Sequence, residues 1–136
     1  MNITIIDGQG GQLGAQLVKA VTSRFKDISI TAIGTNAIAT TAMLKAGAKK
    51  AATGENPAIV ACRHTDVIMG PVGIVIADSL LGEVTEKMAL AVARADAVRI
   101  LIPMNKCENI VAGVPDLNTA SLIEDAVSKL KAITAM

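Results

Sequence analysis

Short apolar runs alternate along the chain with longer segments whose apolar residues recur every three or four positions. The runs predict β-strands, and the recurring segments predict amphipathic helices. The predicted strands cover 2–6, 28–33, 49–52, 66–69 and 98–102, and residues 109–114 are a candidate sixth strand at a sheet edge. The predicted helices cover 11–25, 37–46, 57–64, 74–81, 86–95 and 119–133.

This alternation predicts one α/β domain over residues 1–136. The expected architecture is a Rossmann-like three-layer sandwich, with a mostly parallel sheet of five or six strands and helices on both faces. The order of the strands stays open. Segment 74–81 has the composition of either a helix or a strand, and a helix is favoured because the chain must return before the next parallel strand.

Polar side chains mark the expected helix starts. Asn56 before Pro57 fits a cap followed by a proline at the first helical position. Ser121 with Glu124 fits a capping box near the start of the last helix. Candidate caps of two other helices are Thr35 or Asn36, and Thr85.

Parallel strands end at one edge of a sheet, where ligands of this fold class bind. Small residues and neutral hydrogen-bonding residues follow the predicted strands, which favours a ligand that approaches the backbone closely. The same residue types also serve ordinary turns, so that alternative stays open. The candidate ligand-binding residues are Asp7, Gly8, Gln9, Gly10, Gly11, Gln12, Leu13, Gly34, Thr35, Asn36, Thr53, Gly54, Glu55, Asn56, Gly70, Pro71 and Asn105.

A glycine cluster between the first strand and the first helix is the sharpest signal. Its spacing is Gly8-x-x-Gly11-x-x-Gly14, and GGQLG resembles the loop of extended short-chain dehydrogenases, which bind NAD(P). Leu13 stands where the general dinucleotide fingerprint Gly-x-Gly-x-x-Gly has its third glycine. Three features depart from the dehydrogenase family: Asp7 directly precedes the first glycine, where its charge opposes a diphosphate, no acidic residue ends the second strand, and the chain has no Tyr. An NAD(P)-binding protein is therefore a lesser alternative.

The first helix begins at this cluster, and a helix N-terminus attracts anions. We therefore expect the backbone N–H groups of residues 10–13 to hold a phosphate. Thr35, Asn36 and Asn105 would orient the rest of the ligand. The cofactor stays unassigned, with a nucleotide as the candidate. The main alternative is a non-catalytic oligomerising or regulatory subunit whose glycine turns only pack.

Composition narrows the function further. The net charge is +1, no basic run exceeds two residues, and the only aromatic residue is Phe25, so a nucleic-acid partner is not expected. One histidine and two cysteines leave no zinc-ligand set. The apolar run 67–77 contains Pro71 and is too short to cross a bilayer, and no secretory signal pattern is present. A cytoplasmic protein without membrane contact is expected.

Candidate catalytic groups do not single out a reaction. Asp7 and Glu55 form a candidate carboxylate pair for a cation or for acid–base work; the favoured alternative has Asp7 accepting N–H bonds in its own turn and Glu55 solvated. Cys62 and His64, two apart on a helix, point to different faces. Segment 67–81, apolar on nearly all sides, predicts partial burial in the interface of a homo-oligomer, with a dimer favoured.

Three longer motifs carry a more specific resemblance. They are IDGQGG at 6–11, GTNAIATTAMLKAGAKKAATGENPAI at 34–59 and GPVGIVIADSLLGE at 70–83. Together they resemble a family of small bacterial proteins of unknown function, seen mostly in anaerobic Firmicutes, with a Rossmann-like glycine loop. The resemblance implies a compact Rossmann-like domain and names no reaction. It points to residues 7–11, 34–36, 53–56 and 70–73.

Overall fold

Five parallel strands form one sheet in a computed structural model that describes residues 1–104 and 109–135. The strand order is β3-β2-β1-β4-β5, so the sheet is built outward in both directions from β1. This order is that of a Rossmann-like domain and confirms the predicted α/β fold. The strands are β1 (Asn2–Asp7), β2 (Ser29–Gly34), β3 (Lys50–Thr53), β4 (Val67–Pro71) and β5 (Val98–Ile102).

Helices cover both faces of the sheet. They are α1 (Gln12–Arg24), α2 (Ala37–Lys45), α3 (Glu55–Ala61), α4 (Glu86–Arg94) and α5 (Thr119–Thr134), with short 3-10 helices at Cys62–His64 and Val72–Val75. Successive side chains of β1 point to opposite faces, so Ile5 joins the core under α1, α2 and α5, while Ile6 joins the core under α3 and α4. Burial on both faces explains why the central strands are almost entirely apolar.

Local polar contacts start the helices at defined residues. Asn36 Oδ1 accepts from the Ala39 N–H at 2.9 Å and caps α2, as predicted, and Thr85 caps α4. Two predicted caps are wrong. Helix α3 follows Gly54 and already includes Asn56. Helix α5 is capped by Asn118, whose Oδ1 accepts from the Ser121 N–H at 2.8 Å. The Glu124 carboxylate of the supposed capping box binds Arg24 instead.

The predicted helix over 74–81 is wrong. The chain forms a 3-10 helix only as far as Val75 and then a series of turns over 77–83. Asp78, Leu80 and Leu81 have φ angles of 65°, 56° and 56°, in the left-handed region, which interrupts a right-handed helix. The segment still buries apolar surface, because Leu80 is only 1% exposed. This chain therefore covers most of that apolar run itself, and the run no longer argues for a subunit interface.

The sheet edges also differ from the prediction. Residues 109–114 form irregular backbone and a turn rather than a sixth strand, and β5 is an edge strand. Strand β4 continues beyond the predicted end at Met69 and includes Gly70 and Pro71. None of the helices within residues 1–104 and 109–135 is long and apolar enough to cross a membrane.

Candidate functional site

In this fold class a ligand-binding crevice is expected where β1 and β4 end. The strand order reverses there, because β2 and β3 lie on one side of β1 while β4 and β5 lie on the other. Three segments meet there. The glycine loop, residues 8–11, follows β1. Residues 34–36 follow β2. A third segment, the strap, comprises residues 78–84 and lies between the 3-10 helix after β4 and the start of α4.

Asp7 lies beneath the glycine loop and is 3% exposed. Its Oδ1 accepts from the Gly8 N–H at 2.8 Å, and its Oδ2 accepts from the Gly14 N–H at 2.7 Å. Burial raises the pKa of Asp7 and the nearby Glu83 charge adds to the rise, and these effects outweigh the two N–H donors. The carboxylate thus ties the loop to the first turn of α1, which agrees with the favoured of the two interpretations of this residue.

Glu83 is the central polar residue of the site, and it is not among the residues predicted from the sequence. Its Oε1 accepts from the Gln9 N–H at 2.9 Å, Thr35 Oγ1 at 2.6 Å and Asn36 Nδ2 at 2.7 Å. Asn36 Nδ2 also donates to the Gln9 carbonyl at 2.9 Å. Desolvation raises the pKa of Glu83, but the three donors together lower it further, so the net shift is below the ordinary value.

The position of Glu83 changes two expectations. The carboxylate that interacts with Asp7 is Glu83, whereas Glu55 lies in the first turn of α3. The sequence places no acidic residue at the end of the second strand, yet Glu83 brings a carboxylate there from the strap. The available signal was its place as the last residue of the motif GPVGIVIADSLLGE.

Three of the glycines are required by packing. A Cβ at Gly8 would overlap Thr35 Oγ1, a Cβ at Gly14 would lie 2.7 Å from Asp7 Cβ, and a Cβ at Gly11 would lie 2.6 Å from Ala39 Cα. Gly10 differs, because a Cβ there would meet no atom within 4 Å. The Gly-x-x-Gly-x-x-Gly spacing therefore reflects close approach of neighbouring segments, while Gly10 faces open space.

Backbone donors remain available at the start of α1. The Gly11 N–H donates to the Gly8 carbonyl at 2.9 Å, so it is not available to a ligand. Within the described part of the chain, no acceptor takes the N–H groups of Gly10, Gln12 and Leu13. Among the described residues, three of the four N–H groups predicted to hold a phosphate thus have no partner, and they lie at a positive helix end.

The candidates after β3 are tied to β2 and α2. The Gly54 N–H donates to the Gly34 carbonyl at 2.9 Å, and Thr53 Oγ1 lies 2.7 Å from Thr40 Oγ1. Asn56 is exposed within α3. Hydrogen bonds therefore connect this group to Gly34 rather than to the glycine loop.

The remaining candidates lie in or after the other strands. Gly70 and Pro71 are buried within β4, and a Cβ at Gly70 would overlap the Ile6 carbonyl. Asn105 lies outside the described residues.

Residues 1–104 and 109–135 contain no group of three His, Cys, Asp or Glu side chains that could hold a metal ion. Cys62 is buried, and burial raises the pKa of its thiol.

The strand order and the glycine-rich turn from β1 into α1 define the chain as a Rossmann-like α/β protein. The family profile for the domain of unknown function DUF3842 matches residues 2–135, and the chain belongs to that family. The search of curated proteins found no significant match. A solved structure, the dodecameric FMN-dependent UbiX-like decarboxylase from Escherichia coli O157:H7, is similar at 13% identity and a TM-score of 0.45, covering 100% of this chain and 96% of that one.

Proposed function

We propose that the protein binds a nucleotide or another phosphorylated small molecule at the carboxyl edge of its sheet, over the glycine loop. The observation that carries this proposal is that the N–H groups of Gly10, Gln12 and Leu13 at the start of α1 have no acceptor among residues 1–104 and 109–135. Orphan N–H groups and the helix dipole together favour an anion at such a position.

The surroundings of these N–H groups support an anionic ligand. The Gly10 side of the loop is open, so a phosphate can approach the backbone. Each oxygen of the buried Asp7 carboxylate already accepts a backbone N–H, and these two donors offset part of its repulsion of a ligand phosphate. Thr35 and Asn36, which were predicted to orient the ligand, follow β2 next to the loop, but their side-chain donors are taken by Glu83 and the Gln9 carbonyl, so they hold the loop in place.

A matched pair of variants at Gly10 tests the proposal. Gly10→Glu adds a negative side chain beside the unpartnered N–H groups, and Gly10→Ala adds only a methyl group in open space. Thermal unfolding is followed by circular dichroism with inorganic phosphate, AMP, ATP, NAD(H), NADP(H) and coenzyme A. A ligand at 100 times its Kd stabilises the folded state by about 2.7 kcal/mol.

We expect at least one of these compounds to raise the Tm of the wild type and of Gly10→Ala, and to leave Gly10→Glu unchanged. Both variants should unfold near the wild-type Tm without ligand, because a Cβ at Gly10 meets no atom within 4 Å. An equal ligand-dependent rise in Gly10→Glu contradicts the proposed site. The absence of any rise across the panel favours the alternative of a binding-inactive subunit.

That alternative, a homo-oligomerising subunit, is favoured by an apolar groove of about 790 Å³ beside the edge strand β5. Val98 on β5 is 48% exposed, and Leu117, which also lines the groove, is 46% exposed. A second copy of the chain would cover this surface. Light scattering after gel filtration should then give a dimer mass for the wild type and a monomer mass for Val98→Lys, since lysine on an edge strand opposes pairing.

A further inference from the structure

Glu83 stands beside the proposed phosphate site as a carboxylate that is held in place from several sides. Its Oε1 accepts donors from both the glycine loop and residues 34–36. The Gln9 N–H that it binds is adjacent in sequence to the unpartnered Gly10 N–H. A ligand phosphate on α1 would therefore lie next to this negative group.

The strap that carries Glu83 is anchored on both sides of it. Leu80 and Val84 are each 1% exposed and belong to the core under α3 and α4. The Asp78 N–H donates to the Val84 carbonyl at 2.7 Å, which closes the ends of the strap on each other. Ser79 Oγ also donates to the Gly73 carbonyl. These contacts hold the strap in the left-handed conformations that its leucines would otherwise avoid.

A carboxylate fixed in this way is a preorganised hydrogen-bond acceptor. Oε1 is occupied by three donors, whereas no group in the described part of the chain donates to Oε2. A second phosphate placed there would meet a like charge, but a neutral hydroxyl group would donate a charge-assisted hydrogen bond. The local chemistry thus distinguishes a hydroxyl from an anion.

We infer that Glu83 is a specificity-determining residue whose Oε2 accepts a hydrogen bond from a ligand hydroxyl. The ligand is accordingly a hydroxyl-bearing phosphate monoester, such as a sugar or nucleoside monophosphate, rather than a polyphosphate. This inference rests on the proposed function, because it requires a phosphate at the start of α1.

Two pairs of phosphate esters test the role of the hydroxyl. Glycerol 3-phosphate and propyl phosphate have the same phosphate group and carbon-chain length, and they differ in their hydroxyl groups. AMP and 2′,3′-dideoxyadenosine monophosphate form a second pair. Dissociation constants are measured by calorimetry and by amide shifts of residues 9–13 at constant ionic strength. The proteins are the wild type, Glu83→Gln, Glu83→Ala and the control Glu86→Gln, which removes an exposed acidic charge in the first turn of α4.

In at least one pair, the wild type should bind the hydroxylated ester about tenfold more tightly than its partner, since a hydrogen bond to a charged group is at stake. Glu83→Ala should reduce this ratio to about one, Glu83→Gln should give an intermediate ratio, and Glu86→Gln should keep the wild-type ratio. ADP should bind the wild type more weakly than AMP, and Glu83→Ala should remove that difference.

Other outcomes separate the two proposals. If all four proteins bind the phosphate esters with the same preference for the hydroxylated ester, the role of Glu83 is overturned and the proposed function stands. The same conclusion follows if the wild type binds the two esters of each pair equally. Tighter binding of every ester to Glu83→Ala, with no preference in the wild type, shows that the carboxylate only competes with anions and also overturns the inference. If no ester binds any of the four proteins, the proposed function and this inference both fail.

Discussion

Replacement of Gly11 by alanine should destabilise the fold far more than replacement of Gly10, although the two glycines are neighbours in sequence. Gly11 has φ 75° and is buried against α2, and a Cβ there would lie 2.6 Å from Ala39 Cα and 3.0 Å from Ala42 Cβ. A backbone Cα cannot rotate away as a side chain can, so α2 has to move.

The cost has two parts. A left-handed conformation costs an alanine about 1–2 kcal/mol. Overpacking in a close-packed contact adds about 1–3 kcal/mol. The expected loss of about 2–5 kcal/mol is a large share of the roughly 5–15 kcal/mol that stabilises a typical domain. This cost also means that Gly11 variants are poor probes of ligand binding, because loss of binding would not be separable from loss of structure.

Urea unfolding followed by far-ultraviolet circular dichroism measures the difference, since the chain has no Trp or Tyr for fluorescence. Gly11→Ala should lower the urea midpoint with an unchanged m-value. Gly10→Ala is the control: its Cβ has open space and its φ is not left-handed, so its free energy of unfolding should stay within about 0.5 kcal/mol of the wild type. Equal midpoints for the two variants would refute the packing argument.

Three further predictions concern side chains. Asp7→Asn should lower the free energy of unfolding by about 1–3 kcal/mol, because the amide NH2 group replaces one of the two side-chain oxygens that accept backbone N–H groups. The raised pKa of Asp7 makes this cost larger at acid pH, since the folded wild type gains stability as the pH falls through that pKa toward 3.8. The free-energy cost of Glu83→Gln should have the opposite pH dependence: it is fully present above pH 4.5 and is lost as the pH falls through the lowered pKa of Glu83. Urea unfolding at several pH values measures the cost of both substitutions. The same pH trend for both would contradict the opposite pKa shifts of Asp7 and Glu83. In a Cys107→Ser background, the Cys62 thiol should react with a disulfide reagent much faster in urea than in buffer, and equal rates would show that it is not buried.

Much of the fold was predictable because its signals are local. The five strands and most helices follow from side-chain periodicity, and β1 and α1 lie within a residue or two of their predicted bounds. The helix predicted over 74–81 is wrong because this segment carries no clear local signal. Its residues are apolar without a clear period, and the left-handed angle of Leu80 accompanies burial of its side chain in the core under α3 and α4, which no local pattern specifies.

The sequence by itself determined an α/β domain with a glycine-rich turn at the start of a helix, because periodicity and glycine spacing act over a few residues. Only the tertiary structure decided what that turn contacts. Glu83 and Gln9 are 74 residues apart, and no local pattern brings a strap carboxylate to the end of β2. Whether a glycine serves packing or an open surface likewise depends on the neighbouring segment, which is α2 for Gly11 and empty space for Gly10.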